Sequence, residues 1–443
     1  MMKILVYSVF LMLSLTHHGT CSQNLCGDRL ILSPFVKNGS LELARHLSEV
    51  NSSLFLGIKS HSGFITVNEK YDSNLFFWYF PFKSNISTTP LIIWLQGGPG
   101  YTSLKGLFDI IGPLYIDNGE VRKRPISWAS DYSLLFLDNP VGSGYSFTND
   151  DRGYSDNEDD IGDQMYKFFI QFLKIFPELR EAPLFIFGES YAGKYVPALA
   201  IQIHRNKNKH PINLKAIGIG NGLIDPQSMM HYTEFCRITG LLEDKELGVL
   251  KTIEDSAIDA IHERRMLDAA LAFNKTLEYI KKHSGVSLYN FNKESKDESP
   301  AFEEFVQRCE VRAVIHAGNA TFDMNNQLVY EKMQPDMMNT TKPWVEELLE
   351  HYGVMCYNGQ LDVILPYGLS RHLYAKLNWT RSHEYFDAPR RRLRNASDRK
   401  IVAFKKSGGN FAEVLIRRAG HIVPSDQPEV AKFIVDRFIE EYK

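Results

Sequence analysis

Ser190, Asp362 and His421 are the residue types from which a nucleophile, an orienting carboxylate and a general base are assembled. Ser190 lies in FGESYAGKYVP, residues 187–197, where an apolar run ends at Gly188 and KYVPALAIQIHR begins a helical pattern. That is the strand, turn and helix context of a nucleophile elbow. Small residues at Gly188 and Ala192 let neighbouring segments approach, although Ala192 stands where the simplest five-residue pattern has glycine. Read alone, the motif fits a turn serine as well as a nucleophile. Its distant partners shift the balance: Asp362 in YNGQLDVI and His421 in RRAGHIVPSDQP each follow a predicted strand, so three suitable residues stand at three strand ends.

A fourth element is WLQGGPGYTS, residues 94–103. Glycines after a strand expose backbone N–H groups, and the amides of Gly98 and Tyr191 are candidates to hold the oxyanion of a tetrahedral intermediate. The plainer reading of GGPG is a turn. A phosphate loop is not expected, because no Gly-Lys-Ser/Thr follows.

The elements that must position these residues are legible as periodicity. NLFFWYF, PLIIWLQ, SLLFLDNP, APLFIFG and LKAIGIGNG are short aromatic and β-branched runs, several of them continuously apolar, as strands buried on both faces of a parallel sheet are. GVMCYNG and FAEVLIRRAG predict two more near residues 353–359 and 411–420. Between them DIGDQMYKFFIQFLKIFPELR repeats Ile161, Met165, Phe168, Phe169 and Phe172 at helical spacing. The fold class is therefore α/β, and the order Ser, Asp, His is that of an α/β-hydrolase with a central, mostly parallel sheet. From about 223 to 350 the pattern turns helical, with HSGVSLYNFNKESKDESP read as loop, which predicts a helical insertion capping the sheet. No internal repeat or low-complexity tract is evident.

The chain has 443 residues, 23% charged and 44% hydrophobic, with a formal net charge of −3. That composition is globular and gives no sign of a polyanion-binding surface, so nucleic acid is not expected as a partner. Residues 1–22 read as a signal peptide: Lys3, an apolar run from Ile4 to Leu15, then small and polar residues with cleavage near Cys21 or Ser22. The remaining chain, 23–443, reads as one catalytic domain that is secreted or lysosomal, with no membrane span or lipid anchor. Loss of Cys21 leaves Cys26, Cys236, Cys309 and Cys356. Cys236 with Cys309 is the preferred bridge and Cys26 with Cys356 follows by elimination, the alternative for Cys356 being a buried thiol. Glycosylation sequons begin at Asn38, Asn51, Asn85, Asn274, Asn319, Asn339, Asn378 and Asn395. The basic cluster Arg390, Arg391, Arg392 and Arg394 reads as a solvated loop or as a protease processing site.

The motifs together resemble the serine carboxypeptidase family, and within it the vitellogenic-like branch. The residues that carry the resemblance are WLQGGPG at 94–100, DNPVGSGYSF at 138–147, FGESYAGKYVP at 187–197, IGIGNGLIDP at 217–226, EVRAVIHAGN at 310–319, YNGQLDVI at 357–364 and AGHIVPSDQP at 419–428, with SGFITVN at 62–68 similar to the family's N-terminal strand. The resemblance spans nearly all of the chain after residue 22. It implies removal of the last residue from peptide or protein C-termini by Ser190, His421 and Asp362, without cofactor or metal, in a monomer or homodimer.

It also implies that Gln96 and Glu189 bind the substrate's α-carboxylate. A buried Glu189 with a raised pKa would donate a hydrogen bond while protonated, which favours acidic pH. Where the family commonly has a second glutamic acid this chain has Ile110, with Asp109 one position away; isoleucine follows His421, and Tyr101 replaces a cysteine of some relatives. Acyl transfer on the same triad and a catalytically weak binding protein are the alternative readings.

Overall fold

The computed structural model describes residues 26–294, 300–395 and 397–443. The signal peptide expected at residues 1–22 lies outside them. The centre is a ten-stranded sheet, whose strands in chain order are β1 (His61–Asn68), β2 (Ser73–Phe80), β3 (Leu91–Leu95), β4 (Ser133–Leu137), β5 (Leu184–Glu189), β6 (Leu214–Gly220), β7 (Gly353–Gly359), β8 (Arg391–Arg394), β9 (Ile401–Gly408) and β10 (Phe411–Ile416). Their spatial order is β1-β2-β4-β3-β5-β6-β7-β10-β9-β8. The six strands from β4 to β10 in that order run parallel, with antiparallel pairs at both flanks.

The continuous apolar runs form parallel strands because both faces are covered. On β3, Leu91, Ile93 and Leu95 join one core cluster while Ile92 and Trp94 join the other. On β5, Leu184 and Ile186 separate from Phe185 and Phe187 in the same way. Full burial of one such side chain contributes roughly 1.5–3 kcal/mol. Helix α1 (Glu158–Ile175) starts where the Asn157 side chain accepts the Asp160 amide at 2.9 Å, and three acids occupy its first turn. Its buried stripe packs Phe168 and Phe172 against Phe77 of β2.

After β6 come α3 (Asp244–His262), α4 (Met266–Ser284) and α5 (Gln327–Met337), in the region read as helical. The stretch read as a loop contains a hairpin, Val286–Ser287 with Asn290–Glu294; its residues 295–299 lie outside the described ones. The helix α6 (Pro428–Tyr442) closes the fold.

Two sequence expectations are corrected. The disulfide joins Cys26 to Cys309, whereas Cys236 and Cys356 are buried free thiols. Cys236 faces the core from the helix Tyr232–Thr239 and Cys356 lies within central strand β7, so neither reaches the surface segment that holds Cys309. The N-terminal segment runs beside that segment instead, with the Leu30 amide donating to the His316 carbonyl at 3.1 Å. The basic cluster is not a loop: Arg391–Arg394 form edge strand β8, paired with β9. An edge strand needs no alternating apolar face, so its charge hid it.

Candidate active site

Strand β5 delivers Glu189 and Ser190 to the carboxyl end of the sheet, where the chain reverses into α2 (Ala192–Arg205). Ser190 holds φ at 63°, the left-handed region, a strain of about 1–3 kcal/mol for a residue with a side chain. Surrounding bonds hold it there: its amide donates to the Gly220 carbonyl at 2.9 Å, and its own carbonyl accepts the Gly193 and Leu223 amides at 3.0 Å each. A Cβ on Gly97 would stand 2.6 Å from the Tyr191 nitrogen and 2.8 Å from the Ser190 Cβ. Only glycine lets the GGPG loop lie against the elbow.

That loop is anchored from strand β4. The buried Asp138 carboxylate accepts Thr102 Oγ1 at 2.6 Å, the Ser103 amide at 2.8 Å and the Tyr145 amide at 3.0 Å, while burial pushes its pKa up to about 6. Ser103 Oγ in turn accepts the Gln96 amide at 3.1 Å.

Gln96, Gly98, Lys105, Glu189, Ser190, Tyr191 and His421 all line one cavity of about 200 Å³. Phe273, Asn274 and Leu277 of α4 and Tyr330 and Met337 of α5 form its far wall. Lys194 fixes that wall to the elbow helix, because its buried Nζ donates to the carbonyls of Asp336 at 3.2 Å and Asn339 at 2.5 Å.

Asp362 lies behind His421, fully buried, and its Oδ2 is 2.8 Å from His421 Nδ1. The same oxygen accepts Asn221 Nδ2, and Oδ1 accepts the Ile364 amide at 2.8 Å. Burial alone would pull the His421 pKa down; the Asp362 carboxylate, helped by Glu189, more than offsets it and holds it above the ordinary value. The His421 amide donates to the Tyr289 carbonyl at 2.6 Å, and the two rings meet edge to face at 5.4 Å.

Glu189 is 1% exposed, and one oxygen accepts Gln96 Nε2 at 2.8 Å. Its Oε2 is buried with no hydrogen-bond partner among the described residues. Burial pushes this carboxyl up to about 7, against the opposing influence of His421, the Gln96 amide and Lys105.

This residue set, at the carboxyl end of an α/β sheet, is matched over residues 51–441 by the family model for serine carboxypeptidases. The chain belongs to the serine carboxypeptidase family. Vitellogenic carboxypeptidase of Aedes aegypti is 41% identical, covering 93% of this chain and 90% of its own. The venom serine carboxypeptidase of Apis mellifera and the probable serine carboxypeptidase CPVL of Homo sapiens are each 38% identical over 93% of this chain, covering 91% and 90% of their own lengths. Among solved structures, Kex1Δp, a prohormone-processing carboxypeptidase from Saccharomyces cerevisiae, matches with a TM-score of 0.80 at 24% identity, over 90% of this chain and 96% of its own, and shows the same fold. The chain is thus a serine-type carboxypeptidase with an α/β-hydrolase fold, and among the described residues no helix is long and apolar enough to cross a membrane.

In this carboxypeptidase the departures noted in the sequence have definite places. Ile110 is 2% exposed in the core beside Leu107 and Phe108, and does not line the cavity. Asp109 does not line it either; its carboxylate pairs with Lys105 Nζ at 3.3 Å. The sequence reading missed Lys105 and Tyr289 on the cavity and Asn221 behind it on Asp362. A lysine nine residues after Gln96, in the helical turn that follows the glycines, was a signal for the first; IGIGNG contained Asn221; nothing in its polar surroundings marked Tyr289. Of the sequon asparagines, 38, 51, 85, 319 and 378 are exposed, and 274, 339 and 395 are half-buried, with Asn274 on the cavity wall accepting Tyr330 OH at 2.7 Å.

Proposed function

We propose that this enzyme releases C-terminal amino acids through an acyl-enzyme on Ser190. Ser190 Oγ attacks the last peptide carbonyl, forming the Oγ–C bond, while His421 takes the hydroxyl proton and Asp362 orients the imidazole. The amides of Gly98 and Tyr191 hold the oxyanion. As the C–N bond breaks, His421 returns the proton to the departing amine, and water activated by the same imidazole then hydrolyses the ester. Gln96, Glu189 and Lys105 hold the free α-carboxylate, and the helical insertion of about 223–350 builds the wall against which the released residue packs.

The observation that carries this reading is Glu189 Oε2, a buried carboxyl oxygen without a partner among the described residues, on the same cavity as Ser190 and His421. A general hydrolase has no need of an acid there; an exopeptidase needs a donor for a carboxylate. Protonated below about pH 7, Glu189 donates; ionised above it, Glu189 repels the substrate. Peptide binding is therefore tighter on the acid side, while the raised pKa of His421 withdraws the free base over the same side, so kcat/KM passes through a maximum where the two opposing limbs cross. The apolar run after Lys3 and the Cys26–Cys309 disulfide both support a secretory route ending outside the cell or in a lysosome, for a single catalytic domain of residues 23–443 with glycans on its exposed sequons.

The test is incubation of purified protein with a blocked dipeptide at acidic pH. Wild type should release the C-terminal amino acid and the Ser190→Ala variant should release at least about 10³-fold less. No release by wild type at any pH, or undiminished release by the variant, sinks the assignment.

A further inference from the structure

A net charge of −3 conceals how far the fold separates its charges. Between the β8–β9 hairpin and α6 runs a groove of about 330 Å³ bordered by Arg392, Arg394, Arg399, Lys405 and Arg437, with Val414 and Ile434 beneath; among the described residues no carboxylate lines it. An adjoining groove of about 540 Å³ shares Arg394 and adds Lys400, Arg417 and Arg418, with Asp398 and Glu429 as its acids. We propose that these joined grooves bind a sulfated polysaccharide, at a site separate from the cavity of Ser190.

Several arginines elsewhere on the surface are held by carboxylates. Arg265 lies between Glu263 and Asp268, and Arg381 makes two bonds to Glu384. In the grooves, Arg392, Arg399 and Arg418 have no side-chain hydrogen bond or ion pair among the described residues. The side chains of Arg394 and Arg417 donate to backbone carbonyls, of Arg399 at 2.7 Å and Ile401 at 2.9 Å, which leaves their charge uncompensated. Two flanking lysines are paired, Lys400 with Asp398 at 2.8 Å and Lys405 with Glu441 at 3.5 Å.

Charge on an edge strand also prevents sheets from joining, and that accounts for Arg391–Arg394. It does not account for Arg437 on α6, or for Arg399 and Arg418 in turns, which face the same grooves.

The ligand class follows from the chemistry. Guanidinium is weakly hydrated and grips a sulfate with two parallel bonds. Two grooves sharing one arginine suit a chain with repeated anions better than a single small one; at the rise of a strand, Arg392 and Arg394 are about 7 Å apart. Single-stranded nucleic acid would call for exposed aromatic faces, but among the described residues Phe433 is the one aromatic lining either groove and the Arg437 guanidinium lies 5.1 Å from its centre. A lipid surface would call for a convex apolar wedge, whereas Val414 and Ile434 lie buried at the bottom of a concavity.

The experiment uses the full secreted chain on immobilised heparin. Wild type should be retained at about 0.15 M salt and released steeply as salt rises. The variant Arg392→Ala/Arg394→Ala/Arg437→Ala should bind at least about tenfold more weakly, a loss near 1.4 kcal/mol. The variant Lys174→Ala/Lys207→Ala/Lys209→Ala, equal in charge change on another face, should bind as wild type does. Arg399→Glu tests the same groove from a turn should the triple variant melt early. All should hydrolyse the blocked dipeptide equally.

Flow-through of wild type, equal weakening by both triple variants, or tighter binding to duplex DNA or phosphatidylserine vesicles than to heparin at the same salt would each overturn the proposal.

Discussion

Two buried carboxyls, Glu189 on the cavity and Asp362 behind its histidine, are treated in opposite ways. Asp362 receives three donors, from His421, Asn221 and the Ile364 amide, and both its oxygens are engaged. Glu189 receives one, from Gln96, and its second oxygen is left without a partner in a setting that raises its pKa to about 7. The difference teaches what each is for. A carboxylate with both oxygens engaged by donors is held in place and orients a base; one with a single donor and a pKa raised to about 7 exchanges its proton near neutrality and can meet another carboxylate.

Substitutions at these two positions and their neighbours should therefore separate cleanly. The largest effect belongs to Asp362→Asn, for which we expect kcat to fall about 10⁴-fold with KM little changed, because the amide imposes the wrong imidazole tautomer. A loss no greater than that of Glu189→Gln, measured in parallel, would erase the contrast. Next, Lys105→Met should raise KM for peptides with a free C-terminus by about 10- to 30-fold, and Lys105→Arg should restore most of it. The informative measurement is the ratio of kcat/KM for a free acid to that for its C-terminal amide, which Lys105→Met should lower. An unchanged ratio would assign Lys105 to a purely structural pairing with Asp109.

Smaller again is Asn221→Ala, which removes one donor from Asp362 and should lower kcat about tenfold without raising KM. Glu189→Gln should cost only a few-fold at acidic pH, since the amide still donates. Its signature is in the pH profile. Wild-type KM should rise as pH climbs through about 7, where Glu189 becomes an anion facing an anion, and the glutamine variant, neutral throughout, should show no such rise. A rise of the same size in both would break the assignment of that limb to Glu189.

How much of this was visible in the chain varied with the local pattern. The apolar strands β3, β4 and β5 were plain because burial on both faces demands unbroken hydrophobic runs. Strand β8, RRLR, was hidden because an edge strand exposed to solvent carries no such pattern, and the hairpin that places Tyr289 against His421 looked like polar loop for the same reason. Ser190, Asp362 and His421 stood out because each follows a strand in a fixed order. Lys105 did not, since its role depends on which way the helical turn after the glycines faces.

The sequence by itself determined the α/β architecture, the family and the identity of the residues at the strand ends, because periodicity and turn chemistry are local properties of the chain. Tertiary structure alone decided which cysteines met, that Lys105 rather than residue 110 faced the cavity, that Glu189 was left one donor short, and that arginines from a strand, a turn and a helix shared one groove. Each of those is a meeting of segments far apart in the chain, and such meetings are set by how whole elements pack, which local pattern does not encode.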